Sequence, residues 1–131
     1  MKILIIDDEV LITKSLHRMF SHQHQVFVAN DGTQGLALWK EQAPDLVVLD
    51  FIMPGLNADQ VIAQKPAESK AKICLISAYI GDSETEAQIL KKVDLFISKP
   101  FDDIVLVAKQ IEKLLGAASW ELFLESLKVI I

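Results

Sequence analysis

The sequence predicts a doubly wound α/β fold, a five-stranded parallel sheet with helices on both faces. Three observations lead there. Residues 3–6, 46–49 and 73–76 are short, uninterrupted apolar runs bounded by acids or turn residues, as expected of strands covered on both sides. The segments between them carry apolar residues at helical spacing, and parallel neighbours need such crossovers. The chain has 131 residues, 51% hydrophobic and 24% charged, which suits one domain with a proper core.

The elements follow in order. Ile3, Leu4, Ile5 and Ile6 form the first strand, which ends in Asp7-Asp8-Glu9. Leu11, Ile12, Ser15, Leu16, Met19 and Phe20 then share one helical face, apart from Lys14, His17 and Arg18. Residues 26–29 make a short strand and Asn30-Asp31-Gly32 a turn. Leu36, Ala37 and Trp39 give the inner side of a second helix that closes near Ala43-Pro44. The third strand, from Leu46, delivers Asp50 to its end before the chain breaks at Pro54-Gly55.

Residues 58–64 allow only a short helix, because Pro66 disfavours helical geometry at Lys65. Residues 73–76 are the fourth strand. Gly81-Asp82-Ser83 supplies turn and cap chemistry for a helix to about Lys91, and residues 95–97 are the fifth strand. Asp102 caps a last helix through Leu115, with Ile104, Val107, Ala108, Ile111, Leu114 and Leu115 inward. Neither a repeat nor a flexible linker interrupts residues 1–115.

Composition narrows the function. A net charge of −5 disfavours a nucleic-acid surface, which needs clustered Lys and Arg. Cys74 is the only cysteine and sits among Ile73, Leu75 and Ile76, so it reads as a small buried hydrophobe in a reducing, cytoplasmic setting. The first apolar run is too short for a signal peptide, and no stretch is long enough to insert into a membrane. His22-Gln23-His24 reads as a solvated polar loop without a third ligand for a metal.

In doubly wound sheets the ligand crevice lies beyond the carboxyl ends of the strands where their order reverses, as in the flavodoxin-like order 2-1-3-4-5. Strands one and three are then neighbours, and Asp7, Asp8 and Asp50 converge. Carboxylates ~4 Å apart repel by about 4 kcal/mol at an effective dielectric near 20. Either one carboxyl stays protonated, or a hard cation such as Mg²⁺ binds between them. The fourth strand ends at Ser77 and the fifth at Ser98-Lys99-Pro100. Acids, cation, hydroxyl and ammonium together suit a phosphoryl group.

Asp7-Asp8, Asp50 with Met53-Pro54-Gly55, Ser77-Ala78 and Lys99-Pro100-Phe101 resemble the receiver domain of two-component response regulators, of the single-domain, chemotaxis-regulator kind. Five elements recur in the right order at strand ends. The resemblance implies that Asp50 accepts a phosphoryl group from a sensor histidine kinase or phosphotransfer protein. It implies Mg²⁺ held by Asp8, Asp50 and the Ile52 backbone carbonyl, with Asp7 reaching it through water. Lys99, Ser77 and Ala78 would bind the phosphate, and Ser77 and Phe96 would act as the switch. The signal would pass through helix 4, strand 5 and helix 5 to a downstream protein or a second copy.

The departures are local. Asn57-Ala58 and Lys92-Val93 replace commoner pairs, and Phe96 lacks the tyrosine hydroxyl usual at the switch. Ile52 and Tyr79 are expected to crowd the route of attacking water and slow dephosphorylation. Bland readings stand beside these roles: Asp7 as a helix cap, Ser77 as turn chemistry, Lys99 as a snorkelling side chain and Phe96 as core. Two other functions compete. An Mg²⁺-dependent phosphatase with an aspartate nucleophile resembles Asp-x-Asp after the first strand, which Asp7-Asp8-Glu9 does not match. A pseudo-receiver scaffold would not need the intact acid set. The leading expectation is a signalling domain rather than an enzyme.

The expected division is a receiver at 1–116 and an appended amphipathic helix at 117–131. Gly116 ends the fifth helix and Ser119 caps the next, whose Trp120, Phe123, Leu124, Leu127, Ile130 and Ile131 share a face. Dimerisation or partner docking is favoured over self-packing for that face.

Overall fold

A computed structural model of the chain describes residues 1–78 and 84–130. The strands are β1 (Lys2–Ile6), β2 (Gln25–Ala29), β3 (Leu46–Asp50), β4 (Lys72–Ser77) and β5 (Leu95–Ser98). The helices are α1 (Val10–Phe20), α2 (Gly32–Gln42), α3 (Ala58–Gln64), α4 (Glu84–Leu90), α5 (Ile104–Glu112) and α6 (Ala117–Ile130), with a 3₁₀ turn at Lys113–Leu115. All pairings are parallel, in the order β2-β1-β3-β4-β5. The predicted fold is therefore the observed one. The proposed cap at Gly81-Asp82-Ser83, Tyr79 and Ile131 lie outside the described residues.

The central strands explain why the runs carry no polar alternation. Leu4, Ile6, Val47, Leu49, Ile73 and Leu75 face α2 and α3 together with Trp39, Val61 and Ile89. Ile3, Ile5, Leu46, Val48, Cys74 and Ile76 face α1 and α5 with Phe20, Ala108 and Ile111. Side chains do alternate between faces, but both faces are core. Burial pushes the Cys74 thiol up to about 12, as befits an inert hydrophobe.

Several inward faces differ from expectation. Leu11 is 82% exposed, and Thr13 takes the inward position with Leu16, Met19 and Phe20. In α2 Ala37 is exposed while Gly32, Gly35, Leu36 and Trp39 are buried. Leu16, Met19, Phe20, Leu36 and Trp39 lie inward as expected, and the differences sit at the edges of each stripe, where a small or hydroxyl residue on the inner face gives no hydrophobic signal. The cap of α5 is Asp103, whose Oδ1 accepts from the Val105 and Leu106 N–H groups at 2.9 and 3.3 Å, rather than Asp102. At α3 the Asn57 N–H donates to Gln60 Oε1 at 2.9 Å, so the unusual Asn57-Ala58 pair starts the helix where the pattern predicts.

Gly32 packs where the loop after β3 passes over the start of α2, and its N–H donates to the Pro54 carbonyl at 3.1 Å. A Cβ there would lie 1.9 Å from the Leu56 carbonyl oxygen. Gly32→Ala is expected to displace that loop and destabilise the protein by about 1–3 kcal/mol, read as a lower urea midpoint.

The C-terminal helix corrects two expectations. Its apolar face folds back onto the same chain: Phe123 and Leu127 are buried with Phe20, the two phenyl rings being 5.8 Å apart. Homodimer or partner docking through that face is therefore displaced by self-packing. Amphipathicity reports that a face is covered, never by what. Ser119 is not a cap either. It lies within α6, buried, and donates to Glu112 Oε2 at 2.7 Å. Glu112 Oε1 in turn meets His24 Nε2 at 2.6 Å, and both side chains are buried. The solvated-loop reading of His22-Gln23-His24 thus fails for His24, which is closed off by α6 and α5. Gln23 Nε2 joins the group by donating to the Ser119 carbonyl at 2.8 Å.

Candidate functional site

The sheet places the acids by continuing its ladder one residue past the strands. Asp7 follows β1, and its N–H donates to the Ala29 carbonyl at 3.1 Å. Asp50 ends β3 in register with Ile76, and the Phe51 N–H donates to the Ile76 carbonyl at 3.1 Å. The Lys99 N–H donates to the Ser77 carbonyl at 2.8 Å, which sets Lys99 on the same rim. The next loop is anchored by buried Phe51 and Met53 and by the Ala58 N–H, which donates to the Phe51 carbonyl at 3.1 Å. Backbone bonds thus set Asp7, Asp50 and Lys99 on one rim.

Asp7, Asp8 and Asp50 each present an oxygen, all within 4.8 Å of one another. Asp7 and Asp50 are buried and Asp8 is exposed. The Lys99 ammonium reaches into the cluster, 2.9 Å from Asp7 Oδ2 and 3.4 Å from Asp50 Oδ2. Asp7 Oδ1 accepts from the Glu9 N–H at 2.8 Å. Asp7 is therefore no side-chain cap of the usual kind but an acid fixed by its own turn. Ser77 is buried at the end of β4, and Ala78 is exposed beside it. The Ile52 side chain points outward and is 64% exposed. Phe96 is half-buried against the α2–α3 side of the core, so packing is part of its role.

One cation does not balance three acids. Burial first, then the charge of Asp7, raises Asp50 from 3.8 to about 7 despite the Lys99 charge beside it. Burial also raises Asp7, against the Glu9 backbone bond and Lys99. Burial pulls Lys99 down, but its contacts with Glu9 and Asp7 and the charges of Asp7 and Asp50 outweigh that and raise it. Clustered hard oxygen donors with uncompensated charge fit a divalent ion such as Mg²⁺.

A pH dependence follows. A carboxyl whose folded value is raised binds its proton more tightly when folded, so its contribution to stability falls as pH rises from about 4 to about 7. Without divalent ion, the melting temperature of wild type relative to Asp50→Asn is expected to fall across that window. With Mg²⁺ the fall is expected to shrink. Paired thermal melts in chelator and in Mg²⁺ check both.

One site residue lies outside the sequence pattern. Glu9 Oε1 accepts from Lys99 Nζ at 2.8 Å, the shortest of the three acid contacts to that lysine. The available signal was its place directly after Asp7-Asp8, with an arm one methylene longer than Asp.

The response regulator receiver domain family matches residues 3–111. The chain is 37% identical over 111 residues to Protein PilH of Pseudomonas aeruginosa, covering 81% of this chain and 91% of that protein. It is 31% identical over 109 residues to the DNA-binding response regulator MtrA of Mycobacterium tuberculosis, covering 82% of this chain but 48% of MtrA. The chain thus spans nearly all of PilH and about half of MtrA. Among solved structures, a chain of the CheX-CheY-BeF3-Mg complex from Borrelia burgdorferi shares the fold, with a TM-score of 0.73 at 24% identity over 88% of this chain and 90% of that one. A LuxR-family regulator from Staphylococcus aureus aligns at a TM-score of 0.75 with 18% identity, over 88% of this chain and 98% of that one.

Proposed function

The chain belongs to the response regulator receiver domain family, and from that premise we propose that Asp50 accepts a phosphoryl group and that the fold turns this event into a protein-contact signal. The observation that carries the reading is Asp50 itself, held rigid by β3, flanked by Asp7 and Asp8 and faced by Lys99. In the transfer an Asp50 oxygen bonds phosphorus as the P–N bond of a phosphohistidine breaks, and the histidine nitrogen leaves with the electron pair. The chemistry needs positioning and charge neutralisation more than any covalent help from the protein.

Asp8, Asp50 and the Ile52 carbonyl would hold Mg²⁺ directly and Asp7 through water, and the ion would neutralise phosphoryl oxygens. Lys99, 3.4 Å from Asp50 Oδ2, would pair with those oxygens as well. Ser77 and the Ala78 backbone lie at the end of β4 to bind them, and Ser77 with Phe96 couples the site to β5. The donor is a histidine kinase or phosphotransfer protein, and the output face is α4, β5 and α5. We take 1–116 as the receiver and 117–131 as an appended helix, in a protein acting in the cytoplasm. No helix among the described residues is long and apolar enough to cross a membrane.

Incubation with Mg²⁺ and a small phosphodonor, followed by intact mass, tests the reading. One phosphoryl adduct supports it. The absence of any adduct would instead indicate a pseudo-receiver, and turnover of phosphate esters a phosphatase.

A further inference from the structure

The strongest contact in the site that the proposed transfer does not use is the one between Lys99 and Glu9. Lys99 has three N–H donors and three carboxylates within reach. It lies 2.8 Å from Glu9, 2.9 Å from Asp7 and 3.4 Å from Asp50. The ammonium therefore leans away from the residue proposed to be phosphorylated. We propose that Glu9 is a positioning residue that holds the Lys99 ammonium back from Asp50 in the resting protein and releases it to an arriving phosphoryl group. This rests on the reading of Asp50 as phosphoacceptor.

The asymmetry of the pair makes Glu9 the partner that lets go. The Lys99 side chain is 6% exposed and that of Glu9 is 58% exposed. Water hydrates Glu9 as soon as the contact opens, whereas the Lys99 ammonium, on a side chain only 6% exposed and with Asp7 and Asp50 beside it, stays among the acids of the site. When a phosphoryl group adds oxygens at Asp50, the ammonium exchanges its solvent-facing partner for the new one and keeps Asp7. Asp7 cannot serve as that releasable partner, because it is buried and tied by the Glu9 N–H. An ion pair with one exposed member is worth up to ~1 kcal/mol, so the latch weighs on phosphoryl binding by up to about fivefold.

Beryllofluoride with Mg²⁺, a non-hydrolysing phosphoryl mimic, gives an equilibrium readout. Its affinity is measured by ¹⁹F NMR in wild type, Glu9→Gln, Lys99→Met and the double variant. Glu9→Gln is expected to bind up to about fivefold more tightly, and the same change made in Lys99→Met is expected to do nothing. Equal tightening in both backgrounds overturns the latch, since a carboxylate that merely repels anions needs no lysine. Unchanged affinity in Glu9→Gln overturns it too. No binding to wild type overturns the reading of Asp50, and this one with it.

A second measurement covers the case where Lys99→Met binds nothing. In metal-free protein the ¹⁵N signal of the Lys99 ammonium is expected to shift on Glu9→Gln, and an unmoved signal means the contact is absent in solution.

Discussion

Asp50→Asn is expected to abolish the phosphoryl adduct. With Mg²⁺ and a small phosphodonor, wild type gains the mass of one phosphoryl group, while the variant stays at its starting mass. The change removes the nucleophile and leaves the packing almost untouched, because Asn has the same shape and its position is set by the β3 ladder. It also removes one charge from a cluster in which Asp50 is already raised to about 7, so without divalent ion the folded variant gains stability at neutral pH. Lost labelling together with a raised melting temperature separates removal of the nucleophile from misfolding. Chelating Mg²⁺ from wild type is expected to slow labelling by ~100-fold or more, the scale at which charge stabilisation acts in such transfers. Full labelling of Asp50→Asn would place the phosphoryl group elsewhere and end the proposal.

How far the sequence leads depends on the kind of signal each element leaves. β1, β3 and β4 stand out because strands buried on both faces need unbroken apolar runs, and their order follows from the crossovers between them. The helices are legible as helices, yet their faces are less so. Thr13 and Gly35 face inward without a hydrophobic label, while Leu11 faces water with one. Asp102 and Asp103 are equally good caps on paper, and only the chain's approach to α5 decides for Asp103.

The site is legible for a topological reason. Residues that follow buried parallel strands gather at one rim whatever their separation in sequence, so Asp7, Asp8, Asp50, Ser77 and Lys99 could be brought together before any coordinate was known. Glu9 escaped because an exposed acid after two conspicuous ones looks like solubility. Which face α6 covers escaped as well, since its pattern fits a second copy as well as its own body. Glu112 did leave a trace. It stands four residues after Ala108 and eight after Ile104, on the inward stripe of α5, where a charged residue requires a partner.

That partner sets the largest stability effect expected of a single change in this chain. Glu112 is fully buried and takes two short bonds, 2.6 Å from His24 Nε2 and 2.7 Å from Ser119 Oγ. It thereby ties the start of β2 and α6 to the end of α5. Glu112→Ala takes the carboxylate away from the buried imidazole and hydroxyl and loosens α6, whose Phe123 and Leu127 pack with Phe20, Ala108 and Ile111. Leaving a buried polar group without its hydrogen-bond partner costs ~1–3 kcal/mol each, so with two such groups a loss of several kcal/mol is expected in urea unfolding. Ser119→Ala removes the hydroxyl's bond to Glu112 and the longer one it accepts from Gln23 Nε2 at 3.2 Å, and leaves the His24 contact, so a loss of ~1–2 kcal/mol is expected. A double variant, Glu112→Ala with Ser119→Ala, is expected to lose less than the sum, because the serine no longer lacks an acceptor. Strict additivity would show that the two residues contribute separately.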